Sequence, residues 1–154
     1  MQSAVVAVIV VAVDQLSKLA VVRNVPILSR QSLVGDIVRL THIRNPGAVF
    51  GVMKGAGTYF TFFSLVAASI LIVVLFFAKR SSTMVKIALG LVLGGAVGNL
   101  IDRLRYGAVV DFIDIGVSDT LRWPCFNAAD AAITVGVLLL LFNSLKVSRR
   151  IASE

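Results

Sequence analysis

YFTFFSLVAASILIVVLFFA, from Tyr59 to Ala78, contains no charged residue and no proline. A helix rising about 1.5 Å per residue needs about 20 such residues to cross a hydrocarbon core about 30 Å thick, and this stretch supplies them. Three more runs have the same character: Met1 to Val22, Met84 to Leu104 and Cys125 to Leu145. At 58% hydrophobic and 15% charged residues, with a mean hydropathy of +0.94, the 154-residue chain is too apolar for an ordinary soluble domain. The expected fold is membrane α-helical, with four transmembrane helices, a small extramembrane β-sheet and a folded-back loop. The spans leave too little chain for a separate soluble core, so residues 1–154 are read as one domain.

The first run is read as a retained helix and not a secretory signal, because it lacks a basic leading segment and carries Asp14, Gln15 and Lys18. Cys125 is the sole cysteine, which excludes an internal disulfide and a thiolate zinc site, and packing is its expected role. There is no HExxH metal motif, and the chemistry of paired carboxylates requires neither metal nor cofactor. The formal charge of +7 is assigned to anionic lipid headgroups and not to nucleic acid.

Between Arg23 and Thr58, the alternation Ile37, Arg39, Thr41, Ile43 predicts a short strand, ended by the turn residues Asn45, Pro46 and Gly47. The gap from Lys79 to Thr83 is short and basic and predicts a helical hairpin. The gap from Arg105 to Pro124 contains Val109, Val110, Asp111, Phe112 and Ile113, which gain little from exposure to water and predict a loop folded back onto the membrane. By their length and placement the first and third gaps are expected to act as mobile covers. Four spans put both termini on one side. Charge counting leaves that side open, with Lys79, Arg80, Lys86, Lys146, Arg149 and Arg150 at one face and a larger, more scattered set at the other.

An ionisable group at the centre of a span costs about 2.5 to 3.5 kcal/mol, so it usually has a partner, a wet cavity or a task. Asp14, Asp102, Asp111 and Asp130 lie within or beside the apolar runs. Asp14 and Lys18 share a helix face and read as an ion pair or as a contact to substrate. Asn99, Asp102 and Arg103 project from one side of the third span, either to anchor it or to orient a catalytic carboxylate. Gly90, Gly94 and Gly98 form a packing stripe at four-residue intervals. Pro124 suits the entrance of the fourth helix, which puts Asp130 just below one membrane face. Asp111 lies in the loop joining the third and fourth helices at that same face, so the two carboxylates can meet.

Two carboxylates in close contact cannot both ionise; one keeps its proton and serves as acid while the other serves as base. The alternative is a helix-capping Asp130 with a solvated Asp111. His42 stands alone and reads as a surface or hydrogen-bonding residue.

Five motifs in order, DQLSK from Asp14, RNPGAVFG from Arg44, GNLIDR from Gly98, VVDFID from Val109 and FNAAD from Phe126, show that the chain resembles bacterial lipoprotein signal peptidases over nearly its whole length. The resemblance implies an aspartic endopeptidase with Asp111 and Asp130 as its catalytic dyad. It implies a polar shell of Asp14, Lys18, Asn45, Asn99, Arg103 and Asn127 that shapes the site and holds the substrate. It further implies prolipoprotein substrates cut on the N-terminal side of a diacylglyceryl-modified cysteine, and an inner-membrane location with cytoplasmic termini and the site toward the outer leaflet. A monomer is expected. The competing reading is a four-helix transporter or channel subunit with an intramembrane Asp and Arg path, although the acids cluster near one face where a conduction path needs lining throughout.

Overall fold

The computed structural model describes residues 1–47 and 57–151. In chain order the elements are α1 (Gln2–Asn24), β1 (Arg30–Val34), β2 (Val38–Asn45), α2 (Gly57–Phe77), a 3-10 turn (Ala78–Arg80), α3 (Thr83–Tyr106), β3 (Val109–Ile115) and α4 (Ala128–Ile151). All four helices contain segments long and apolar enough to span a bilayer.

Helix α3 is the centre of the bundle and packs against α1, α4 and α2. Its glycines permit this. A Cβ at Gly90 would meet Ser3 and Val6, one at Gly94 would meet Ala7 and Val10, and one at Gly98 would lie 2.5 Å from Asp14 Oδ2. The stripe therefore seats α1, as small residues do where two backbones approach closely. Ser82 caps the start of α3 by accepting from the Val85 N–H, and Gly107 ends it at φ 66°, a left-handed conformation that costs glycine nothing.

Apolar side chains cover the outside of the bundle: Val5, Val8 and Val13 on α1, Phe62, Ile70 and Phe76 on α2, and Leu138, Leu141 and Phe142 on α4 are all exposed. Lipid is the medium that accepts such a surface. The polar residues are inside, with Asp14, Lys18, Asn99, Asp102, Asp111 and Asn127 all buried.

The three strands form one antiparallel sheet in the order β1-β2-β3 at one end of the bundle. Val21 and Val25 at the end of α1 pack with Phe112, Leu40 and Ile113 to fix the sheet there. Two expectations change. The segment anticipated as a folded-back loop is strand β3, paired with β2 from Val38↔Ile115 to Asn45↔Val109. The fourth helix starts at Ala128 and not near Pro124, because the residues before it are engaged with β3: Trp123 N–H donates to Ile115 O, and Phe126 N–H donates to Ile113 O. Arg122 pins this return path, bonding Asp114 at 2.6 Å and the Asp36 carbonyl at 3.0 Å. The half of RNPGAVFG from Ala48 to Gly51 lies outside the described residues, as does Lys54.

Candidate active site

Lys18 anchors the site. Its ammonium contacts Asp14 at 2.8 Å and Asp102 at 2.9 Å and donates to Asn99 Oδ1 at 2.9 Å, all within the buried interior. The expected i,i+4 pair with Asp14 is therefore present, but the cation is shared between two carboxylates. Buried charges persist only when paired and hydrogen-bonded, and both acids meet that condition. Asp14 also accepts from the Ala129 N–H at 2.9 Å, and Asp102 accepts from the Val110 N–H at 3.0 Å. The ion cluster thus ties α1 to α3, to the start of α4 and to β3 one residue before Asp111. Gln15 reinforces it, donating to Asp102 at 3.0 Å and to the Gly98 carbonyl at 3.2 Å.

Two amides carry this order to the outer acids. Lysine can only donate, so Asn99 turns its oxygen toward Lys18 and its Nδ2 toward Asp130, which accepts at 2.7 Å. The backbone N–H of Asp130 can also only donate, so Asn127 turns its oxygen to it at 3.0 Å. Asn127 Nδ2 then faces Asp111 Oδ1 at 2.7 Å and Asn99 Oδ1 at 3.2 Å. Asn45, at the end of β2, donates to the other Asp111 oxygen at 2.9 Å. Its own oxygen accepts from the Gly47 N–H at 2.9 Å, so the Asn-Pro-Gly turn holds the amide in place.

Asp111 and Asp130 meet across this amide pair. Asp111 is 2% exposed, whereas Asp130 is half-buried beside a crevice of about 360 Å³ lined by Trp123, Phe126, Ala131, Thr134 and Val135. Burial pushes the Asp111 carboxyl up to about 6; the Asn45 bond works against this, the charge of Asp130 adds to it, and the Asn127 bond and Lys18 oppose it.

Seven of the eight residues anticipated for the site, Asp14, Lys18, Asn45, Asn99, Asp111, Asn127 and Asp130, join one hydrogen-bonded network. Arg103 stands apart. It lines a neighbouring crevice with Pro46, Thr58 and Phe62, within electrostatic reach of Asp111 and Asp130, and makes no hydrogen bond or ion pair among the described residues. Asp102 and Gln15 belong to the network although the expected shell omitted them. The signal for Asp102 was its place in an apolar span. His42 is buried and not at the surface, with Nδ1 2.8 Å from the Val25 carbonyl oxygen. Burial pushes the Cys125 thiol up to about 12, which leaves it un-ionised and consistent with packing.

Four apolar helices closed around carboxylates, amides and one lysine define an integral membrane protein with a polar centre near one end. The profile of the signal peptidase (SPase) II family matches residues 6–146. The lipoprotein signal peptidase of Halothermothrix orenii is 37% identical over 137 residues, covering 89% of this chain and 90% of that protein. That of Paraburkholderia phymatum is 42% identical over 144 residues, covering 92% and 86%. A solved structure described as a bacterial membrane enzyme, determined by the in meso method at 1.9 Å resolution, superposes with a TM-score of 0.81 at 34% identity, covering 94% of this chain and 92% of that one. The chain belongs to the signal peptidase II family. It is a membrane protease, and the activity that goes with membership is removal of signal peptides from prolipoproteins. The transporter alternative finds no support in these relatives.

Proposed function

We propose that the protease is of the aspartic type, with Asp111 and Asp130 as its catalytic pair. The observation that carries this reading is the bridge between them: Asn127 donates to Asp111 at 2.7 Å while its oxygen accepts from the backbone N–H of Asp130 at 3.0 Å. One carboxyl holds a proton and the other is ionised. The ionised member takes a proton from water as the water attacks the scissile carbonyl, and the protonated member donates to the developing oxyanion. Collapse of the tetrahedral intermediate returns a proton to the departing amine, which restores the pair. Asn45, Asn99 and Asn127 keep the carboxylates aimed, Asp14 and Lys18 brace the amides, and Arg103 faces the polar part of the substrate.

The substrate in this reading is a prolipoprotein whose diacylglyceryl-modified cysteine becomes the new N-terminus. A substrate anchored by acyl chains reaches Asp130 sideways through the apolar crevice at Trp123 and Val135. The whole chain acts as one membrane-embedded domain and as a monomer in the bacterial inner membrane, with both termini cytoplasmic and the site toward the outer leaflet. The test supplies purified protein with a lipid-modified precursor peptide and compares it with Asp111→Asn and Asp130→Asn variants that still insert. Turnover should fall about 10²- to 10⁴-fold in each. Undiminished cleavage in both variants defeats the aspartic assignment.

A further inference from the structure

At the end of the bundle opposite the sheet, Met1 and residues 2–4 of α1, Leu75 near the end of α2, Ala78 and Lys79 of the 3-10 turn, and Thr83 and Lys86 in the first turns of α3 line a crevice of about 540 Å³. The volume falls within the ~300–1,000 Å³ range of small-molecule sites. Its chemistry is one-sided. Lys86 is half-buried in the wall and has no hydrogen bond or ion pair among the described residues. The Lys79 ammonium lies 3.9 Å from the centroid of the Phe76 ring, which positions it without neutralising it. Every described acid lies elsewhere: Asp14 is more than two helical turns along α1, and Asp36, Asp102, Asp111, Asp114, Asp119 and Asp130 belong to the sheet end. Helix α3 also begins at this end, with Thr83 of its first turn in the wall, so its positive end lies on the same side as the crevice.

We propose that this crevice binds the phosphate headgroup of an anionic glycerophospholipid, with Lys79 and Lys86 on the phosphate and the acyl chains along the exposed apolar surface of α2. Basic pockets between transmembrane helices bind such headgroups, each nearby cation adding attraction to anionic lipid. The lipid is the occupant, not free phosphate, because the α2 wall of the crevice, at Leu75 and continuing to Ala78, belongs to the same helical segment whose neighbouring side chains Ile72 and Phe76 are exposed and apolar. The site is distinct from the carboxylate centre, and its failure leaves the peptidase reading untouched.

The test is native mass spectrometry of the full chain released from nanodiscs holding equal amounts of phosphatidylglycerol and phosphatidylcholine. The wild type should retain one phosphatidylglycerol in preference to phosphatidylcholine. Lys79→Gln combined with Lys86→Gln should lower that retention about tenfold, and the corresponding double arginine variant should preserve it. Lys146→Gln, which removes a cation at the same end outside the crevice, should leave it unchanged. Equal retention by the wild type and the double glutamine variant overturns the proposal, as does an equal loss in Lys146→Gln. Release of the lipid by an equal concentration of inorganic phosphate reassigns the crevice to free phosphate and overturns it too.

Discussion

Asn127 and Asp130 cap one another across the first turn of α4: Asn127 Oδ1 accepts from the Asp130 N–H at 3.0 Å, and Asp130 Oδ2 accepts from the Asn127 N–H at 3.3 Å. This reciprocal capping box satisfies N–H groups that a helix start leaves open, so the start of the helix and the position of the carboxylate are one structural event.

Asn127→Asp keeps an oxygen for the cap but replaces the Nδ2 donor with a carboxyl oxygen facing Asp111 and the Asn99 oxygen. The new acid is buried with no cation among its described partners, so stability in detergent should fall as pH rises and turnover should fall at least tenfold. Asn127→Ala loses both functions, and loss of the cap alone costs about 1 kcal/mol. Full turnover in Asn127→Asp counts against the bridging role.

The Asp111 carboxyl, raised by burial to about 6, makes a signed prediction. Its folded value lies above its unfolded value of 3.8, so its contribution to stability is complete below 3.8 and is lost as pH rises through about 6. Asp111→Asn should flatten the fall in thermal stability across that window. In Asp130→Asn the Asp111 midpoint should move down, because the neighbouring negative charge is gone. Infrared titration of the carboxyl band reads that midpoint, and a midpoint unmoved by Asp130→Asn contradicts their proximity.

Lys18 is the only cation bonded to Asp14 and to Asp102 among the described residues. Lys18→Met leaves two buried carboxylates without it, and breaking such a pair costs about 3–5 kcal/mol. Equilibrium unfolding in mixed micelles should show a loss of that size. Lys18→Met combined with Asp102→Asn should recover part of it, and a double variant no more stable than the single one argues against the shared-cation arrangement.

Gly98 and Gly107 give opposite tests of glycine. A methyl at Gly98 would press on Asp14 Oδ2 at 2.5 Å, whereas one at Gly107 meets open space and suffers only from φ 66°. Gly107→Ala should cost about 1 kcal/mol with turnover intact. Gly98→Ala should lower both stability and turnover, since Asp14 must leave Lys18 or the Ala129 N–H. Equal turnover in the two variants refutes the close contact as a functional constraint.

The four spans were legible because uninterrupted hydropathy is a strong signal, and Asp14, Asp102, Asp111 and Asp130 stood out because an acid within or beside a span demands a reason, whereas the dyad and its shell of amides came from the five motifs of the resemblance. Strand β1 was not legible: RQSLV is exposed along its length and shows no alternation. Strand β3 failed for the opposite reason. Five of the seven residues in VVDFIDI are buried, so its period of two is hidden and it reads as an apolar loop. The start of α4 was placed early because Pro124 looks like a helix entrance, while the pairing of residues 122–126 with β3 is a long-range effect that no local pattern carries. Arg103 was placed in the shell by the resemblance, and in the fold it lines the crevice next to Pro46 and Phe62.

Asn127 and Asp130 sit at the head of the last helix, whereas the Lys18 contacts to Asp14, Asn99 and Asp102 need only α1 and α3. The cation can therefore be seated between α1 and α3 first, and the Ala129 N–H at the start of α4 completes the cluster last. A chain stopped before α4 would hold the cation between its two acids but would lack the Ala129 N–H, the Asn127 amide and the Asp130 carboxylate that meet that cluster in the complete bundle.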